Sequence, residues 1–306
     1  MNLNFGIKAI VAIVMSMALQ VQAQNKVTIT HNLGSTEVTE NPSKVVIYDI
    51  GSLETYHELG IPVYGMLNNV PAYLPEYQAE KYKKLGGIKE PDLEALKAVA
   101  PDLIVISGRQ SSFYEELSKI APTVFLGVDT ENYWESFKDN VNTIAKLHGK
   151  QELAAEKLNQ LEAKRNKVLE VSKADSKKGI VMLQVRGNYS AYGEGARFGF
   201  PYDVLGIKIA DNIENTGGHT GFRVTEGYMK KINPDYILLI DRDSAVGGEV
   251  KSIDELLNDE MKSTKAYKNN GAVQLTGNIW YTSGGGLISV DRMITEIGNK
   301  VYNLNL

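Results

Sequence analysis

Residues 150–171, KQELAAEKLNQLEAKRNKVLEV, read as one unbroken helix. Leu153, Lys157, Leu158, Leu161 and Val168 recur at three- and four-residue steps and form one stripe among charged neighbours. The stretch has no Gly or Pro and is rich in Ala, Leu, Glu, Lys and Gln, strong helix formers. At about 1.5 Å per residue it spans roughly 33 Å, the width of a small domain. On either side stands what reads as the same unit written twice. Before the helix, Leu59-Gly60-Ile61 is followed by Pro101-Asp102 and the apolar run Leu103-Ile104-Val105-Ile106, with Arg109 eight positions after the Pro. After it, Leu205-Gly206-Ile207 is followed by Pro234-Asp235 and Tyr236-Ile237-Leu238-Leu239-Ile240, with Arg242 again eight positions after the Pro. The apolar runs lack the alternation of a half-exposed strand, so they read as buried parallel strands. The fold class is therefore α/β: two parallel-sheet lobes joined by one long helix, with a cleft between them. The expected division is 24–148 for the first lobe, 149–174 for the linking helix and 175–306 for the second lobe. Arg109 and Arg242 then stand at the C-terminal ends of equivalent strands, where open α/β sheets bind ligands.

At 306 residues, 43% hydrophobic and 23% charged, the chain is long enough for two cores. The balance of 33 Lys+Arg against 37 Asp+Glu, with no polybasic run, argues against nucleic acid or an anionic membrane surface as partner. Residues 1–23 read as a cleavable signal peptide. Lys8 supplies a positive start, residues 9–19 are apolar but too short to span a bilayer, and Val21 and Ala23 suit a signal peptidase. The sequence has no cysteine, which removes lipid anchoring at Cys, disulfides, thiolate metal sites and Cys nucleophiles. An exported, unanchored chain points to the periplasm, and a monomer is expected.

Several motifs carry chemistry. Ser107-Gly108-Arg109-Gln110 leaves the third strand and enters an expected helix at 111–118, whose N-terminus adds positive potential. Arg197 stands in Gly193-Glu194-Gly195-Ala196-Arg197-Phe198-Gly199, with Phe198 as an apolar wall. The first Gly does not directly follow a strand, so this is not a dinucleotide loop. His219 lies in a second Gly-rich loop, Thr216-Gly217-Gly218-His219-Thr220-Gly221. Trp280-Tyr281-Thr282-Ser283-Gly284-Gly285-Gly286 joins a strand at 272–275 to a final helix at 287–302, and its glycines read as a flexible, open approach. Ser52 is expected to open a helix running to Gly60. His57 reads as a packing or surface residue, and His148 ends a helix where the dipole favours a cation. With no G-x-S-x-G motif and no His after Ser283, a hydrolase is disfavoured.

Taken in order, Ser107-Gly108-Arg109, Ala196-Arg197-Phe198-Gly199 with Asp203-Val204-Leu205-Gly206, the His219 loop, Asn233-Pro234-Asp235 with Asp241-Arg242, and Trp280-Tyr281 with Ser283-Gly284-Gly285-Gly286-Leu287 resemble the periplasmic ferric-siderophore-binding proteins of ABC importers. The likeness is to the catecholate (enterobactin and petrobactin) group, with its helical-backbone periplasmic binding protein fold. The resemblance implies a binding protein, not an enzyme, with no intrinsic cofactor. Its ligand is a ferric siderophore and its partner an inner-membrane ABC permease. It implies that Arg109, Arg197 and Arg242 line the cleft, that His219 and Tyr281 ligate iron, and that Glu54 is an exposed carboxylate for docking the permease.

Ferric iron is hard and takes oxygen and imidazole donors. A bis-catecholate supplies four oxygens and leaves two octahedral positions for an imidazole and a phenolate. Guanidiniums offset the complex's negative charge and stack on its rings. A tris-catecholate is already six-coordinate, so the implied set favours a tetradentate ligand. Haem, which suits a His/Tyr pair, or another metal complex such as cobalamin is the alternative ligand. Bare zinc or manganese wants more converging His and carboxylates than four scattered His provide. One linking helix implies a small hinge motion.

Overall fold

The computed structural model describes residues 25–214 and 220–306, so the expected signal peptide and His219 lie outside the described residues. A hairpin of β1 (Lys26–His31) and β2 (Gly34–Thr39) comes first. The first lobe carries β3 (Val45–Ile47), β4 (Gly65–Met66), β5 (Lys83–Lys84), β6 (Leu103–Ile106) and β7 (Thr123–Phe125), all parallel, in the order β5-β4-β3-β6-β7. The second lobe carries β8 (Lys178–Val185), β9 (Asn188–Tyr192), β10 (Lys208–Ile209), β11 (Phe222–Arg223), β12 (Tyr236–Asp241) and β13 (Ala272–Leu275). Its strands β10, β8, β12 and β13 are parallel and repeat the order of β4, β3, β6 and β7.

The repeated sequence marks do the same work in both lobes. Gly60 at φ +63 and Gly206 at φ +70 turn the chain out of a helix in the left-handed conformation, ahead of β4 and β10. Asp102 accepts the Ser43 and Lys44 N–H groups at 3.0 and 2.8 Å, just before β3. Asp235 accepts the Lys178 N–H at 3.0 Å, at the start of β8. Each Pro-Asp thus fixes where the neighbouring strand begins.

The second sheet differs from a pure parallel unit at one end. β9 pairs antiparallel with β8, and β11 with β9. Arg186 and Gly187 both have positive φ, the geometry of a tight two-residue hairpin turn, and they fold β9 straight back onto β8.

Helices α1 (Ile50–Glu58), α2 (Tyr133–Leu147), α3 (Gln151–Ala174) and α4 (Leu287–Tyr302) fill the space between the sheets. The cap of α1 is Asp49, which accepts the Ser52 N–H at 2.7 Å; Ser52 itself is inside the helix. In α3, Leu158, Leu161 and Val168 are buried as their spacing predicts. Lys157 leaves the stripe: its ammonium pairs with Glu58 of α1 at 2.5 Å. Arg165 of α3 stacks over Trp134 at 4.9 Å and donates to the Val204 carbonyl at 3.1 Å, joining the two lobes. The core is continuous rather than two separate cores. It runs from the first sheet through these helices to Val181, Leu183, Leu238 and Ile240 on the inner face of the second sheet. The alternate residues Ile180, Met182, Ile237 and Leu239 point to a smaller cluster on the outer face.

His148 caps α2 but is not held as a cation. Its Nε2 lies 3.0 Å from the Tyr56 hydroxyl, and burial together with the Lys150 charge pushes its pKa from 6.5 down to about 4. The unfolded chain therefore takes up a proton near pH 6.5 that the folded chain refuses until about pH 4. The stability linked to this group is present above pH 6.5 and is lost as pH falls toward 4. His148→Gln is expected to flatten that acid limb in thermal melts taken across the window; an unchanged slope would mean that His148 does not set it.

Candidate functional site

Tyr281 lies at the centre of the site. After β13 the chain makes one wide turn, Asn278–Thr282, before the three glycines and α4. Glu296 of α4 holds the start of this segment. Its carboxylate accepts the Thr276 N–H at 3.1 Å, the Thr276 hydroxyl at 2.8 Å and the Trp280 indole N–H at 2.7 Å. Trp280 is buried by this arrangement, while Tyr281 stays partly exposed between the lobes.

Three guanidiniums converge on Tyr281. Arg109 donates to the Tyr281 carbonyl at 2.6 Å and to the Thr282 carbonyl at 2.9 Å. Arg197 donates to the same Tyr281 carbonyl at 3.0 Å, and its guanidinium carbon lies 4.6 Å from the Tyr281 ring centre and 4.7 Å from that of Phe198. The rings of Phe198 and Tyr281 stack with centres 6.5 Å apart. Arg242, the first residue after β12, faces the Tyr281 hydroxyl. The segment carrying Arg109 is a 3-10 turn, Gly108–Phe113, closed by the Ser107 N–H on the Gln110 side chain at 3.1 Å. Arg109 therefore projects from within a tight turn, not from the approach to a helix at 111.

The charges act in one direction. Burial opposes ionisation of the Tyr281 phenol, but the Arg242 hydrogen bond and the charges of Arg197 and Arg242 outweigh it and hold the phenol below the usual tyrosine range. Burial and the like charge of Arg197 lower the Arg109 pKa, with Asp49 opposing them. The Tyr281 hydroxyl, then Asp243 at 3.4 Å, raise the Arg242 pKa. Among the described residues, no carboxylate comes within ion-pairing distance of Arg109 or Arg197. The arrangement suits an anionic, oxygen-rich ligand that places a charged oxygen beside the phenol. Among the described residues, no group of three or more His, Cys, Asp or Glu could hold a bare metal ion.

A cavity of about 780 Å³ opens between the lobes next to this cluster, lined by Ile50, Val70 and Ile88 from one side and Val246, Leu275 and Thr282 from the other. It meets the site at Thr282; none of the three arginines lines it.

Two expectations are corrected here. Glu54 is fully buried, so it is not a docking carboxylate on the surface. The glycines after Ser283 are not an open approach. A Cβ on Gly51 of α1 would lie 2.7 Å from the Gly285 carbonyl carbon, and one on Gly286 would lie 2.6 Å from a Glu54 carboxylate oxygen. The glycines let α1 and the second lobe touch backbone to backbone. The structure brings Arg109, Arg197, Arg242 and Tyr281 together, while His219 lies outside the described residues. The chain is described again from Thr220 and pairs as β11 with β9, whose Tyr192 packs edge-on to Phe198 at 4.8 Å.

The sequence profile of the Periplasmic binding protein family matches residues 45–278, from β3 to the first residue of the turn that carries Tyr281. The chain belongs to that family. This binding protein is 39% identical over 279 residues to the petrobactin-binding protein YclQ of Bacillus subtilis, covering 90% of this chain and 88% of that one. The crystal structure of YclQ superposes with a TM-score of 0.86, over 91% of this chain and 99% of that chain. The ferric-anguibactin-binding protein FatB of Vibrio anguillarum is 30% identical over 281 residues, 90% of this chain and 87% of that one. The periplasmic catecholate-siderophore-binding protein VctP of Vibrio cholerae superposes with a TM-score of 0.84 at 30% identity, over 89% of this chain and 99% of that chain.

Proposed function

We propose that this periplasmic binding protein captures a ferric catecholate siderophore, tetradentate at iron, in the cleft between its lobes and delivers it to an inner-membrane ABC permease. One observation carries the reading: three guanidiniums converge on Tyr281, Arg109 on its carbonyl and Arg197 and Arg242 on its phenol, and the latter two hold the phenol below the usual tyrosine range. That arrangement favours a phenolate, a hard oxygen donor matched to ferric iron. In this reading Tyr281 and His219 take the two positions that a bis-catecholate leaves open. Arg109, Arg197 and Arg242 offset the negative charge and donate to catecholate oxygens. The ligands named for YclQ, FatB and VctP support the class of cargo. Iron here is cargo held by its chelator, and no step of bond making in the organic ligand is involved. Residues 24–148 and 175–306 act as two lobes on α3, with small hinge motion, in an exported monomer of the periplasm whose residues 1–23 are removed.

The test is a panel titration of the mature protein with a ferric bis-catecholate, ferric citrate and haem, read by tyrosine fluorescence. The bis-catecholate is expected to bind tightest. Haem binding without catecholate binding would replace this reading with a haem carrier. Arg242→Gln keeps a donor near the phenol and removes the charge; it is expected to weaken the bis-catecholate by about tenfold. Unchanged affinity would take Arg242 out of the site.

A further inference from the structure

We infer that Glu54 is a positioning residue for Tyr281: it fastens the Tyr281 segment of the second lobe to the first lobe. The inference rests on the ligand reading above. Glu54 belongs to α1 and is 0% exposed. One carboxylate oxygen accepts the Ser283 hydroxyl at 2.6 Å and the Tyr73 hydroxyl at 2.5 Å. The other accepts the Ser289 N–H at 2.7 Å. Ser289 is in the first turn of α4, whose N-cap is Gly286 and has no side chain to offer. A carboxylate from the opposite lobe supplies that missing acceptor and meets the positive end of the helix.

The consequence falls on Tyr281. Arg109 holds the carbonyls of Tyr281 and Thr282, and Glu54 holds the hydroxyl of Ser283. Residues 281, 282 and 283 are thus each bonded to a first-lobe side chain, although they belong to second-lobe sequence. Arg197 and Arg242, which set the charge around the phenol, come from the second lobe. The phenol is therefore registered against both lobes at once, and Glu54 is the link nearest to it after Arg109. Burying a carboxylate is costly, and fixing one geometry is a role that such groups serve. Beside it, Gly51 packs so closely on Gly285 that a Cβ at position 51 would lie 2.7 Å from the Gly285 carbonyl carbon.

The test measures dissociation constants for a ferric bis-catecholate in the wild type, Glu54→Ala and Glu54→Gln, each with and without Tyr281→Phe. Glu54→Ala is expected to weaken binding about tenfold when Tyr281 is present and less than about twofold when it is Phe. Glu54→Gln keeps an acceptor for Ser289 and a partner for the two hydroxyls, so it stays within about threefold of the wild type. Equal loss in both backgrounds, or no loss, overturns the inference. Hydrogen exchange of residues 281–289 without ligand separates it from the ligand reading. Faster exchange in Glu54→Ala than in Glu54→Gln, with β8 and β12 unchanged, supports the latch even if no ferric catecholate binds. Equal exchange overturns it. If Glu54→Ala does not fold, Ser283→Ala cuts only the link to the Tyr281 segment and is expected to show the same coupling at about threefold.

Discussion

Tyr281→Phe is expected to weaken ferric bis-catecholate binding by about 100-fold, or about 2.7 kcal/mol, while changing tris-catecholate binding less than about threefold. The substitution is selective because of what it leaves in place. The Tyr281 carbonyl still accepts from Arg109 and Arg197, and a Phe ring still stacks on Phe198 beneath the Arg197 guanidinium. Only the hydroxyl goes, and with it the oxygen that Arg242 faces. On the proposed reading a tetradentate complex then exchanges the phenolate for water at iron, whereas a saturated complex loses nothing at the metal. Parallel fluorescence titrations at one salt concentration check this. Equal effects on the two complexes would mean that the arginines alone recognise the ligand.

Gly286→Ala is expected to cost about 3 kcal/mol of stability and to lower the melting temperature by about 8 °C. Its Cβ would overlap the Gly51 carbonyl oxygen and lie 2.6 and 2.8 Å from the Glu54 carboxylate oxygen and Cβ. None of these atoms is the free end of a flexible chain. Gly51 is in α1, and the Glu54 carboxylate is tied to Tyr73, Ser283 and Ser289. Gly284→Ala is the control. Its Cβ meets nothing nearer than 3.6 Å, and only the φ of +78 opposes it. That change is expected to cost about 1 kcal/mol. Thermal melts of the two variants compare the two costs directly, and similar melting temperatures would contradict the close lobe-to-lobe packing.

The sequence makes the repeat legible because its marks have local causes. A Gly that must take positive φ and an Asp that must fix a strand start recur at Gly60 and Gly206, and at Asp102 and Asp235. The arginines follow from the same logic, since strand order puts Arg109 and Arg242 at matching ends. What could not be read depends on contacts between distant segments. Glu54 looks like the second residue after a helix-opening Ser, yet Asp49 is the cap and Glu54 turns inward to α4. Nothing local marks a carboxylate as the cap of a helix more than two hundred residues away. The three glycines carry the only signal, and it is ambiguous: the same residues serve a flexible linker or a close backbone approach. β9 was hidden for a different reason. Its Asn188-Tyr189-Ser190-Ala191-Tyr192 is short and mixed in polarity, and the positive φ of Arg186 is not an ordinary turn signature.

In the proposed function Tyr281, whose ionisation Arg197 and Arg242 favour, completes the coordination of a ferric bis-catecholate. The most direct measurement is the visible charge-transfer spectrum of the ferric bis-catecholate on adding the mature protein, compared with Tyr281→Phe and with a ferric tris-catecholate. Ligation by Tyr281 predicts a band shift for the bis-catecholate with the wild type, no such shift with Tyr281→Phe, and none for the tris-catecholate with either. The same shift with Tyr281→Phe as with the wild type would contradict it.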